Sequence, residues 1–239
     1  MDCVVEDSLQ ARVEAMKQRL RLPEEHIKDL LSISGGTDIV VIADDSSSMN
    51  MVADTEGLRT RWIELQETLR SLVTMLLVIE HVDGFWLKFL NDPSWYIVTS
   101  EQQLVDIYLA KPRARGKTPL KASLAPVMQG YGDIEKETLV LTDGQPTDCS
   151  FPELVELVRS KRSDVYLSFA MCTDQLDVVD AYNKLVDPIP GCDITDDYVT
   201  ERAEAKLVGR DLTPYQWLVK LLLVKHDHYD KLDEHHNPP

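Results

Sequence analysis

The chain has 239 residues, enough for one α/β domain with additions or at most two small domains, and one main core is the simpler expectation. Hydrophobic residues make up 44% and charged residues 28%, a globular composition that excludes a fibrous or disordered chain. The formal charge of −16 disfavours nucleic acid and anionic membrane surfaces, because a phosphate partner would be repelled, and is easier to reconcile with a basic or mixed-charge protein partner.

The first residues, Met1 to Asp7, have neither the basic start nor the apolar stretch of a secretory signal. Leu9, Val13, Met16 and Leu20 recur at spacings of four and three, which predicts a helix opened by Ser8. A shorter helix with Ile27, Leu30 and Leu31 on its apolar side follows Leu22-Pro23 and stops at Gly35-Gly36. Residues 1–36 therefore read as a helical extension that packs on the domain or serves as a docking arm. Its heptad-like spacing covers too few repeats for a coiled coil.

Ile39 to Ala43 reads as a strand buried on both faces, and it breaks abruptly into Asp44-Asp45-Ser46-Ser47-Ser48. Alternate side chains of an extended loop point the same way, so Asp44, Ser46 and Ser48 can converge on one small cation. Oxygen donors of this kind suit Mg2+, Mn2+ or Ca2+ rather than zinc or copper. Three oxygens are too few for an octahedral ion, so other loops at the same end of the sheet must supply more.

Trp62, Leu65, Leu69, Leu72, Leu76 and Ile79 give the longest helical pattern, the first crossover helix. The longest apolar run, Leu72 to Ile79, falls far short of the roughly 20 residues that span a bilayer. Phe85 to Leu90 reads as a strand, Asn91-Asp92-Pro93 as a turn, and Trp95 to Val98 as a short antiparallel edge strand. A brief helix over Glu101 to Leu109 leads into Lys111-Pro112-Arg113-Ala114-Arg115-Gly116-Lys117, the one concentrated basic segment of the chain. Thr118 follows, placed to cap a helix begun by Pro119. Thr138 to Thr142 is a second fully buried strand ending in Asp143-Gly144. Ser150 and Glu153 form a capping box, Val165 to Met171 is a third central strand, and Asp174 to Leu185 is helical. After a polar, acidic stretch from Pro188 to Glu201, in which Asp196-Asp197-Tyr198 and Glu201 read as a capped turn, Thr213-Pro214 and Gln216 start a last helix through Trp217 and Leu222.

Taken together, Asp44, Ser46, Ser48, Thr118 and Asp143 resemble the metal-ion-dependent adhesion site of the von Willebrand factor A (VWA) domain family, with its separated motifs in the family's order. Arg61-Trp62 with Glu64-Leu65, Phe89-Leu90-Asn91, and Thr142-Asp143-Gly144 with Pro146-Thr147-Asp148 resemble signatures of its intracellular members. The similarity covers roughly Thr37 to Val186. It implies a doubly wound, mostly parallel six-stranded sheet with one short antiparallel edge strand and helices on both faces. It also implies a Mg2+ (or Mn2+ or Ca2+) site with Ser46, Ser48 and Thr118 as hydroxyl ligands, and Asp44 and Asp143 acting directly or through water. One coordination position would be left to an Asp or Glu carboxylate of a protein partner. Asp45, Lys117, Gln145 and Asp148 would stand near that contact. Ser47 and Lys117 occupy positions where the family often has glycine, and neither removes a ligand.

The expected organisation is a helical extension over 1–36, a core over 37–187, and an extension over 188–239 whose last helix packs on the domain. Cys3, Cys149, Cys172 and Cys192 lack C-x-x-C spacing, as expected of reduced thiols in a cytoplasmic chain. His226, His228, His235 and His236 read as a solvated tail rather than a metal site. Trp62, Trp86 and Trp217 read as packing residues. The leading functional expectation is a non-catalytic interaction module. A scaffold subunit that assembles or self-associates through its terminal helices is the alternative. A magnesium phosphohydrolase fits less well, since Ser46 stands where haloacid-dehalogenase-like enzymes need a second aspartate, and a receiver domain would need a further aspartate and lysine.

Overall fold

The sequence folds into a six-stranded sheet flanked by helices in the computed structural model, which describes residues 11, 13–33, 36–53, 59–78, 83–111, 113–130, 134–173, 175–207 and 209–225. In chain order, helical residues 13–20 lead to α1 (Glu24–Ile33), β1 (Thr37–Ala43), a 3-10 turn (Ser47–Asn50) and α2 (Arg61–Val78). Next come β2 (Phe85–Phe89), β3 (Trp95–Val98), α3 (Glu101–Ala110), α4 (Leu120–Gln129) and β4 (Glu135–Thr142). The chain then forms α5 (Phe151–Arg159), β5 (Val165–Met171), α6 (Leu176–Leu185), β6 (Cys192–Asp196), α7 (Tyr198–Leu207) and α8 (Pro214–Leu222).

The six strands lie in the order β3-β2-β1-β4-β5-β6, all parallel except β3, which runs antiparallel to β2. β1 is apolar throughout its second half because each face of the sheet carries a core. Ile39, Val41 and Ala43 enter one core with Leu139 and Leu141, covered by residues 13–33, α2, α3 and α8. Val40 and Ile42 enter the other with Val140 and Phe169, covered by α4, α5 and α6. The expected helices around Val13, Met16, Leu20, Ile27 and Leu30 thus complete the first core.

Two features differ from expectation. The stretch after Pro188 contains β6, an edge strand that pairs in parallel with β5, so the sheet extends past the boundary placed at 187. Its sequence, Cys-Asp-Ile-Thr-Asp, has one strongly apolar residue, because an edge strand pairs on one side only and its Asp193 and Thr195 satisfy each other at 2.7 Å. Trp86 is 39% exposed rather than packed, since α4 and α5 leave the β2–β3 end of their face uncovered. Trp62 and Trp217 are buried as expected. The expected features at Cys3, Ser8, Leu9, Gly35, Ile79, Pro112, Asp174 and the four histidines lie outside the described residues. No helix among the described residues is long and apolar enough to cross a membrane, and Cys149, Cys172 and Cys192 are free thiols.

Candidate metal-binding site

β1 lies between β2 and β4, so the chain leaves it in opposite directions and opens a crevice at the carboxyl ends of β1 and β4. Ligands of such sheets bind at this switch point. The Asp44 amide donates to the Leu141 carbonyl at 2.8 Å, which carries β1 one step past its last paired residue and places Asp44 beside Thr142 and Asp143. Asp44 is fully buried. Its Oδ1 accepts the Ser46 amide at 2.7 Å and its Oδ2 accepts the Thr142 hydroxyl at 2.6 Å. Burial pushes its carboxyl up to about 6, helped by the nearby Asp143 charge and opposed by the Ser46 and Thr142 hydrogen bonds.

The bond from Asp44 to the Ser46 amide turns the loop so that its hydroxyls line up. The hydroxyl oxygens of Ser46 and Ser48 are 2.9 Å apart, and Ser48 Oγ donates to Asp143 Oδ1 at 2.8 Å. Because the single Ser48 proton goes to Asp143, Ser46 is the donor to Ser48. These separations are ordinary O–H···O hydrogen-bond lengths, and they hold the three oxygens as neighbours on one side of the loop. Among the described residues no three His, Cys, Asp or Glu side chains converge as a metal group.

Thr118 reaches the same place from the opposite loop. A Cβ on Gly144 would stand 4.0 Å from Thr118 Oγ1, which puts the hydroxyl beside the residue that follows Asp143. Contrary to the capping expectation, α4 begins at Leu120, and the amides of Lys121 and Ala122 donate to the Asp148 carboxylate at 3.2 and 2.8 Å. Asp148 thus takes the capping role and Thr118 is released from it. The Thr118 backbone is pinned to Thr147, its amide donating to the Thr147 hydroxyl at 3.0 Å and its carbonyl accepting the Thr147 amide at 2.9 Å.

Asp44, Ser46, Ser48 and Asp143 are therefore brought together, with Thr118 beside Gly144, and the four expected neighbours divide. Lys117 and Gln145 are exposed at the rim. Asp148 is exposed but turned into the start of α4. Asp45 is buried and turned inward instead of lying in solvent: its Oδ1 accepts the Asn91 amide at 2.8 Å and the Asn91 side chain at 3.0 Å, and Lys111 Nζ stands 3.7 Å from Oδ2. Its burial between those donors removes it from any partner contact.

Two residues of this site entered the sequence reading only as parts of family signatures and a turn, with no contact assigned to them. Arg61, the first residue of α2, donates from a guanidinium nitrogen to Asp143 Oδ2 at 2.9 Å, with both side chains buried. A cation is unfavourable at the positive end of a helix, and that misfit was the available signal that Arg61 serves something else. Asn91 joins three loops: besides Asp45 it donates to the Lys117 carbonyl at 2.7 Å and accepts the Lys117 amide at 3.1 Å. Gly116 is required beside it, with φ of 109° and with no room for a Cβ against the Asn91 side chain. Ser47 is the departure from glycine that the structure explains, since its hydroxyl accepts the Gly116 amide at 3.1 Å and its amide donates to the Gly116 carbonyl at 3.1 Å.

No family model matches the sequence, and no curated protein matches it. Among solved structures, the VWA domain of SpRpn10 is similar with a TM-score of 0.50 at 12% identity, over 67% of this chain and 87% of that one. A von Willebrand factor type A protein from Catenulispora acidiphila gives a TM-score of 0.47 at 14% identity, over 82% of this chain and 42% of that one. An aerotolerance-related membrane protein from Bacteroides fragilis gives 0.39 at 14% identity, over 57% and 67%. With its parallel six-stranded sheet and antiparallel edge strand, this chain has the fold of a VWA domain.

Proposed function

We propose that the chain is a metal-dependent protein-interaction domain of cytoplasmic type, in which Ser46, Ser48 and Thr118, with Asp44 and Asp143, hold Mg2+ (or Mn2+ or Ca2+) and present it to a carboxylate of a partner protein. The observation that carries this reading is the run of oxygens from Ser46 through Ser48 to Asp143, at 2.9 and 2.8 Å, on the switch-point crevice of a VWA fold. A bound divalent ion would supply an electrophilic position for an anion, and its largely neutral ligand set would leave its charge incompletely compensated. The protein's own part is to hold the hydroxyls in register. Asp44 fixes the loop through the Ser46 amide, and Asp148 caps α4 so that Thr118 need not. Arg61 and Ser48 each take one oxygen of Asp143, so that this carboxylate cannot turn away. The reading includes no catalytic step.

A fluorescent peptide carrying one aspartate among serines and glycines tests it. Its anisotropy should rise with protein in Mg2+ and not in EDTA, and Ser48→Ala should weaken the rise at least tenfold. Equal binding in EDTA would overturn the metal's role. One observation favours assembly as a second reading: Trp86, Trp95 and Ile97 are 39, 37 and 49% exposed on the uncovered end of the sheet. Sedimentation of the Trp86→Ser, Trp95→Ser chain alongside the wild type decides it, and an unchanged monomeric mass in both removes that reading.

A further inference from the structure

The segment from Arg113 to Lys117 lies across the mouth of the metal loops and is bound to them at three successive residues. The Ala114 carbonyl accepts the Asn50 side chain at 2.8 Å, the Arg115 amide donates to the Asp45 carbonyl at 2.6 Å, and Gly116 exchanges two bonds with Ser47. Ala114 is buried as the anchor, while Arg113, Arg115 and Lys117 are exposed. Of the basic residues in this run, Lys111 is spent within the fold, 2.7 Å from Asp92 and 3.7 Å from Asp45. Arg113, Arg115 and Lys117 have no acidic partner among the described residues. Three neighbouring cations without an acidic partner among the described residues are unexpected in a chain with 41 acidic and 25 basic residues, where intramolecular acids are plentiful. The nearby exposed acid, Asp148, is already committed to the amides of Lys121 and Ala122.

We infer that this basic strap is a docking surface for an acidic polypeptide segment of another protein, one in which two or three further carboxylates lie within a few residues of the one that reaches the metal. This builds on the carboxylate reading above and gives its partner a charge pattern. A lone carboxylate approaching a chain of −16 is repelled by the surface as a whole. The strap sets three cations at the mouth of the site, where Lys117 adjoins the ligand Thr118 in sequence and Gly116 is bonded to Ser47 between the ligands Ser46 and Ser48. An extended segment advances about 3.3 Å per residue, so acids at neighbouring and alternate positions can meet the strap while one of them enters the crevice. A polypeptide is favoured over a nucleic acid because the remainder of the surface carries the same sign as phosphate, and a long polyanion would meet it on either side.

Two fluorescein-labelled hexapeptides test this, one with a single aspartate among serines and glycines and one with three of the neutral residues replaced by glutamate. In Mg2+ and low salt the multiply acidic peptide should bind the wild-type chain about tenfold tighter or more than the singly acidic one, as several exposed ion pairs together allow. In the Arg113→Gln, Arg115→Gln variant, whose changes are on the surface, the gap should shrink to about threefold or less, and raised salt should shrink it likewise. Equal affinities in the wild type, or a gap unchanged in the variant, would overturn the inference. So would an oligothymidylate of matching charge binding as tightly as the acidic peptide, which would make the strap a phosphate reader. The EDTA arm separates the two ideas: single-aspartate binding that survives EDTA defeats the metal reading, while the strap stands or falls by the gap alone.

Discussion

Asp143 carries the electrostatic balance of the site, because its two oxygens are divided between a hydroxyl that can also face a cation and a guanidinium that cannot leave without a cost. Removing one partner of a buried ion pair typically costs about 3–5 kcal/mol. Arg61→Gln should therefore lower the melting temperature in EDTA, and Mg2+ should restore more of the loss than it adds to the wild type, since a cation can replace the missing charge. A melting temperature unchanged by Arg61→Gln in EDTA would show that the pair does not support the loop. A second buried acid behaves differently. Glu137 on β4 is 1% exposed, neither of its carboxylate oxygens has a hydrogen-bond partner among the described residues, and burial pushes its carboxyl well above the usual range. Its folded value exceeds its unfolded one, so it contributes stability at pH below the ordinary glutamate value and loses that contribution as pH rises toward the folded value. Glu137→Gln should then be more stable than the wild type by about 1 kcal/mol or more at pH 8, with the difference vanishing near pH 4, as urea melts at the two pH values would show. At this scale the ligand residues were legible, because alternation after a buried strand aims Asp44, Ser46 and Ser48 one way. Asp45 and Arg61 were not, since their roles depend on Asn91 and Asp143, which are distant in sequence.

The elements place these residues through their ends. β1 and β4 were legible because a strand buried on both faces is apolar without alternation, and α2 because its apolar stripe is long. β6 was not, as a five-residue edge strand with two buried polar side chains resembles a polar loop. The start of α4 was misread for a local reason: Thr-Pro is a good capping sequence, but the carboxylate that meets the helix amides is supplied by Asp148, from beyond β4. Asp148→Ala should destabilise the chain by about 1 kcal/mol, read as a shift in the urea midpoint with an unchanged slope. A midpoint that does not move would return the cap to Thr118. The box at the start of α8 was read correctly, with the Thr213 amide donating to the Gln216 side chain at 2.9 Å and the Gln216 amide donating to the Thr213 hydroxyl at 3.2 Å.

At the scale of the whole molecule, the two extensions belong to the fold that holds the site. Leu20, Ile27 and Leu30 from one end and Leu218, Leu221 and Leu222 from the other are fully buried in the core beneath β1 and β4. A chain trimmed to 37–187 would lose both sets and β6, and should show no cooperative thermal transition by circular dichroism. A sharp transition in it would mean that the sheet and one core suffice. The doubly wound fold was legible from the order of strands and helices, whereas the seat of the terminal helices was not, because amphipathic periodicity says that a face is buried and not against what. Calorimetric titration of Mg2+ into EDTA-treated, dialysed chain asks whether these loops hold a metal. Saturable one-site binding of Mg2+ in the wild type and its loss in Asp143→Ala are the predicted results. No heat in the wild type, or binding unchanged in Asp143→Ala, would mean that they do not.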